Sequence, residues 1–223
     1  MNSNMQKVIF KFDKEKDLWN QWHKANWKSP WSKSNIDPNI KKICENKKFK
    51  ESKKELEKYF SKLYKSEMMN QTIICVENSW KKIEKEFFKR MDKIIKRKYS
   101  KKITAYLTSS GTCSYDPNEP SFMFSIYYSI PKNLSTCGHE IMHLYFHEFY
   151  WNSIEKEIGK EKTSDLKEAL TVILNLEFID LWFNSDSGYE THKELRDFIT
   201  KTWRERKDFE FLLKKCVDYL KEK

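Results

Sequence analysis

The segment GHEIMHLYFH, residues 138–147, holds three of the five histidines in the chain. On a helix, side chains four residues apart point the same way, about 5–6 Å apart at Cβ. His139 and His143 therefore share a face from which both imidazoles can reach one Zn²⁺, at about 2.0–2.1 Å each. Glu140 lies beside them. It is the natural group to take a proton from a water activated by the metal and to pass it to a leaving amine. His147 stands one turn further along, an awkward place from which to reach the same ion. A catalytic zinc keeps three protein ligands and one open position, so the third ligand is expected from another element.

Residues 137–151 read as the helix that carries this stripe. Apart from His139, Glu140, His143, His147 and Tyr150, most of its side chains are apolar: Ile141, Met142, Leu144, Tyr145, Phe146, Phe149 and Trp151. A helix apolar on most sides is buried. Its polar groups then need partners, because an unpaired buried polar group costs about 1–3 kcal/mol. A metal ion satisfies several of them together, whereas a core helix with incidental histidines leaves the stripe unexplained. Pro131 marks the end of the preceding strand, and Asn133, Ser135 or Thr136 can cap the helix. Downstream, TSDLKEALTVILNLEFIDLWF (163–183) reads as one long buried helix capped by Thr163 or Ser164. Glu168 opens its apolar run, where an unpaired carboxylate is costly and a ligand role removes the cost. The bland alternative is a surface Glu on an amphipathic helix.

With HExxH on one helix and Glu168-Ala169 on a later one, residues 101–200 resemble the gluzincin group of zinc metallopeptidases, the thermolysin-like branch of the zincins. The metzincin pattern would need Gly at 146 and His at 149, where this chain has Phe146 and Phe149. The chain is also similar to bacterial and phage proteins that share HExxH, an acidic helix and a GY…H segment. The resemblance implies hydrolysis of peptide bonds and a substrate lying extended along an edge strand, here Ser121–Ile130. It implies also a Tyr or His opposite the zinc to steady the oxyanion, a place that Tyr189 or His192 can fill. Many gluzincins carry an Asp four residues after the ligand Glu to orient a zinc-bound His. Val172 stands there in this chain, and Thr171 or Asn175 is left as the substitute.

The elements that must position these groups are read from pattern. Gly (4) and Pro (5) are scarce in 223 residues, so a mainly helical chain is expected. Residues 51–67 and 71–98 form amphipathic helices by their three- and four-residue apolar steps. Residues 6–12, 103–109 and 121–129 read as strands, the last two separated by the turn-rich GTCSYDPNEP. Trp19, Trp22, Trp27 and Trp31 cluster near the N-terminus; they pack that segment on the core or offer a stacking surface, with His23 among them. The expected architecture is α+β and mainly helical: a zincin-like core with a small β-sheet, an active-site HExxH helix and a glutamate helix at 101–223. A mainly helical N-terminal extension, 1–100, packs on it. Leu144, Phe146 and Val172 are expected to wall the cleft.

Bulk composition sets the remaining bounds. The net charge of +10 favours acidic partners, but Lys alternates with Glu at helical spacing, which describes a solvated surface better than a nucleic-acid face. The five cysteines are widely spaced and contain no CxxC pair, as suits free thiols in a reducing compartment. No segment reads as a signal peptide or a membrane span, and a cytoplasmic location is expected. The resulting expectation is a zinc-dependent metallopeptidase acting on a peptide or protein substrate. Zn²⁺ would be held by His139, His143 and Glu168, with Glu140 as general base and Tyr189 or His192 on the oxyanion. Its rivals are a non-catalytic zinc-containing regulatory domain that binds nucleic acid or a protein partner, and a metal-free helical interaction protein.

Overall fold

Short β-branched and aromatic runs from both halves of the chain meet in one sheet. The computed structural model describes residues 8–27 and 36–223; Trp31 lies outside them. Strands β1 (Val8–Phe12), β2 (Ile103–Thr108), β3 (Tyr115–Asp116) and β4 (Ser121–Ser125) are arranged in the order β1-β2-β4-β3. The β1–β2 and β2–β4 pairs are parallel, and β3 runs antiparallel to β4. Period-2 burial is plain in β1, where Val8 and Phe10 turn inward. All five residues of β4 are buried, as expected of a strand covered on both faces.

The segment expected to be a free edge is therefore an inner strand. Residues Tyr115 and Asp116 pair with Phe122 and Ser121, and Met123 donates its N–H to the Ser114 carbonyl. The strand also stops early, at Ser125. There Asn133 takes over its hydrogen bonding, accepting from Ser125 N–H and donating to Ser125 O.

Helices make up the rest: α1 (Lys14–Asn26), α2 (Pro38–Cys44), α3 (Phe49–Tyr64), α4 (Glu67–Ile95), α5 (Ile130–Phe149), α6 (Trp151–Leu170), α7 (Val172–Glu177), α8 (Ile179–Trp182), α9 (Lys193–Glu205) and α10 (Phe209–Lys221). The mainly helical α+β class is the one expected. Packing divides the first hundred residues between two cores. Leu18, Ile40, Cys44, Leu56 and Phe60 of α1–α3 form a satellite cluster. Strand β1 and helix α4, through Phe10, Val76, Trp80, Phe87 and Met91, belong to the main core. Among the described residues, no helix is long and apolar enough to cross a membrane.

Two differences from the expected helices bear on the site. Helix α5 starts at Ile130 because Ser129 caps it, accepting from Lys132 N–H, with Pro131 in the first turn where its missing donor costs nothing. The run 163–183 is not one helix. Helix α6 begins at Trp151 and kinks at Gly159, whose φ of 79° and ψ of 165° are non-helical and open to glycine. The chain breaks again at Thr171, whose hydroxyl donates to the Glu168 carbonyl at 2.7 Å. Such local side-chain bonds offer backbone groups an alternative to the helix ladder.

Helix α1 is fastened to the loop after β2 by a buried carboxylate. Asp17 accepts from the Thr108 and Ser109 hydroxyls, the Ser109 N–H and the Tyr64 hydroxyl, at 2.6–2.7 Å. Asn20 and Gln21 add donors to Thr108 and Ser109.

Helix α5 packs closely at Gly138. A Cβ there would lie 2.6 Å from the ring edge of Trp182 and 3.3 Å from Phe87, both buried. Gly138→Ala is expected to cost about 1–3 kcal/mol by overpacking, read as a lower denaturant midpoint at unchanged slope. A wild-type midpoint would mean that Trp182 moves aside freely.

Candidate metal centre

Helical spacing on α5 and the break after α6 together bring three donors to one point. The His139 and His143 rings lie 4.4 Å apart, centroid to centroid, at a steep angle. Their Nε2 atoms face the Glu168 carboxylate, 3.5 Å from Oε2 and 3.4 Å from Oε1 respectively. One ligand atom from each of His139, His143 and Glu168 lies within 4.8 Å of the others, a group that could hold a metal ion. The donor chemistry fits, with two imidazole nitrogens and one carboxylate oxygen on rigid helices and the carboxylate spread across both rings.

The second ligand layer is more elaborate than the sequence reading anticipated. Asp186, in the loop after α8, meets His139 Nδ1 at 3.2 Å. Its own carboxylate shares the single Thr171 hydroxyl proton with the Glu168 carbonyl, at 2.9 and 2.7 Å, and accepts from Gly188 N–H at 3.1 Å. Asn175 exchanges two hydrogen bonds with the Asp186 backbone, and Arg196 donates to its carbonyl. Thr171 and Asn175, the expected substitutes for an orienting Asp, thus act by holding Asp186. By contrast, His143 Nδ1 is buried and has no hydrogen-bond partner among the described residues.

Electrostatics in the metal-free chain follow from these contacts. Burial pulls the His139 pKa down, but Asp186 and Glu168 outweigh it and raise it to about 10. Burial and the Lys167 charge push His143 down to about 3. Burial raises Glu140 to about 7, with His139 acting against the shift. Glu168 is held well below the usual carboxylate range in spite of burial, chiefly by the two histidines and Lys167. Lys167 is itself buried; it donates to Glu168 Oε1 at 2.6 Å and lies 4.6 Å from the Tyr115 ring centroid.

The remaining site residues divide. Glu140 and Tyr189 line a cleft of about 510 Å³ together with His139, Glu168 and Asp186. His192 does not line it: buried, it pairs through Nε2 with Asp165 Oδ1 at 3.0 Å. His147 is also elsewhere, bonded to the Tyr115 hydroxyl at 2.9 Å and stacked on Trp151. The expected cleft wall of Leu144, Phe146 and Val172 is instead core. The real walls are Lys24 of α1 and Trp27 just after it, the 111–113 loop, Tyr128, and Lys132, Ser135 and Thr136 of α5. Trp27 is the end of a stacked row, Trp19–His23–Trp27, while Trp22 packs on Phe49.

Asp186 is the residue that sequence reasoning missed. Its signal was the Asp-Ser-Gly of 186–188, an Asp whose side chain accepts the N–H two residues on, which is how an Asx turn fixes a carboxylate. Removing such a partner weakens metal binding by about 10–100-fold. Asp186→Ala is expected to show that loss in competition with a zinc chelator, and an unchanged affinity would deny Asp186 its orienting role.

Comparison of the chain with protein-family models, with curated proteins and with solved structures finds no match. The functional reading therefore stands on the arrangement of the site's own residues.

Proposed function

We propose that this chain is a zinc-dependent metallopeptidase. The observation that supports it most is the convergence of His139, His143 and Glu168, with Glu140 beside them on the wall of the same cleft. A set of two imidazoles and one carboxylate suits zinc among the common divalent ions. It matches the ligand count of catalytic rather than structural zinc sites. Zinc held there supplies Lewis acidity, which makes water a competent nucleophile near neutral pH and polarises a carbonyl.

The protein's own groups do the rest. Glu140 accepts a proton from the attacking water and returns it to the leaving amine as the C–N bond breaks. Burial keeps its proton affinity near neutrality, the range in which one group both takes and gives a proton efficiently. Tyr189 donates its hydroxyl to the carbonyl oxygen as negative charge grows there, the part for which His192 is turned away. Asp186 fixes the ring plane of His139.

The test is metal content by mass spectrometry on untagged full-length protein, followed by a peptide-mixture digest of the zinc-loaded chain. The reading requires about one zinc per chain and new peptide termini that vanish with a chelator and return with zinc. A zinc-loaded chain that cleaves nothing rejects it.

A further inference from the structure

Two lysines of the cleft form no ion pair among the described residues. Lys24, from the last turns of α1, and Lys132, from the first turn of α5, come from elements more than a hundred residues apart and line the same cavity as Glu140. Both are half-buried. Among the described residues neither forms an ion pair, although many surface lysines of this chain do. Lys24, Lys132 and Glu140 all act electrostatically on the Cys113 thiol of the same cleft, Glu140 against the two lysines. The cleft therefore presents two ammonium groups as well as the carboxylates and imidazoles of the candidate metal centre. Lys132 is further fixed by the Tyr128 ring, 5.6 Å from its ammonium.

The sheet edge bears on the same question. A long substrate can bind a peptidase by adding a strand to a free sheet edge. Here residues 114–116 of the chain itself cover β4 along Ser121–Met123. Backbone pairing of a substrate along Ser121–Met123 is thereby blocked, and a grip on a chain end gains importance.

We infer that Lys24 and Lys132 make a carboxylate subsite of the cleft, and that it receives the C-terminal carboxylate of a short peptide. What happens to the bound peptide rests on the peptidase reading; the subsite itself does not. Two ammonium groups presented to one cleft from two elements match a carboxylate by charge and by donor type, and charge-assisted hydrogen bonds are the strong ones. With the terminal carboxylate anchored there, the peptide bonds near it are the ones delivered toward Glu140. The specificity is that of an enzyme trimming C-terminal residues, not one cutting within long chains.

The experiment is calorimetric titration of zinc-supplemented full-length chain carrying Glu140→Gln, which blocks turnover. The probes are Ala-Ala-Phe with a free C-terminus, its C-terminal amide, and Ala-Asp-Phe amide, whose only acid is a side chain. The free acid is expected to bind about tenfold or more tighter than its amide. Lys24→Met and Lys132→Met should each erode that preference, and Lys24→Arg with Lys132→Arg should keep it, which separates lost charge from lost fold. Equal affinity for acid and amide overturns the subsite. So does a preference that survives both Met variants, because the carboxylate would then sit on the metal. Ala-Asp-Phe amide matching the free acid keeps the carboxylate subsite and overturns the C-terminal assignment. Digestion of the same peptides by the zinc-loaded wild-type chain separates the two readings. Lysine-dependent binding without cleavage rejects the peptidase and leaves the subsite, and cleavage with no preference for the free acid does the reverse.

Discussion

Glu140→Gln is expected to lower the turnover of a cleaved peptide by about 10²–10⁴-fold, the range that positioned proton transfer contributes, with zinc content unchanged. Glutamine keeps the shape of a side chain only 6% exposed, so the helix and the cleft wall persist. It cannot take a proton from water. The three converging donors are His139, His143 and Glu168, and Glu140 is not among them, so the metal should stay. The check pairs kcat with zinc stoichiometry on the same preparation. A variant that loses zinc as well would move Glu140 into the ligand set, and one that keeps full turnover would strip it of the base role.

Taking away a ligand should do more. Zinc held by a folded site contributes an apparent binding free energy of about 10–16 kcal/mol. A third of it is roughly 3–5 kcal/mol, a loss of more than about a hundredfold in affinity. His143→Ala and Glu168→Ala are each expected to show it. Both side chains are buried, so each variant also loses packing, and the informative quantity is the rise in Tm that zinc adds to each chain. Zinc at a hundred times Kd stabilises the wild-type fold by about 2.7 kcal/mol; the two variants should show almost none of that increment. An equal increment in both would place zinc elsewhere.

The same binding carries a pH signature. With its pKa raised to about 10, His139 holds a proton in the metal-free chain at neutral pH. Zinc needs the neutral ring, so uptake must expel that proton. Affinity should rise about tenfold per pH unit between roughly pH 6 and 9, and fall correspondingly as pH drops. Titrations in buffers of different ionisation enthalpy read the proton directly. Release of none would mean that His139 is already neutral.

The three candidate metal donors were legible in the sequence because they obey local rules. His139 and His143 are fixed by helical periodicity alone, and Glu168 stood out as a carboxylate among apolar neighbours. What lay beyond reach depended on loops. Strand β3 is two residues long, inside a segment whose Gly and Pro signal only a turn, so nothing in the sequence announced that it would cover β4. Asp186 belongs to no periodic pattern; its closeness to His139 comes from the breaks at Thr171 and Phe178, which turn the chain back on α5. Residue types did not separate Tyr189 from His192; what separates them is placement, Tyr189 on the cleft and His192 paired with Asp165 on another helix. Lys24 was invisible as a cleft residue because α1 reaches the site through the Asp17 anchor, a contact of side chains 91 and 92 positions apart.

Strand β1 also acts as a guard against aggregation. It is the outer neighbour of β2, whose six residues, ITAYLT, are buried with one partial exception. Beside the exposed Ile9, β1 offers Lys11, a charge of the kind that discourages edge-to-edge pairing. A fragment cut to begin at residue 101 would keep every metal donor yet bare the backbone of β2 along an apolar, β-prone edge. Such an edge templates pairing with another copy of itself. Residues Val8–Phe12, which supply no donor to the candidate metal centre, are what keep the β2 side of the sheet closed to its own kind.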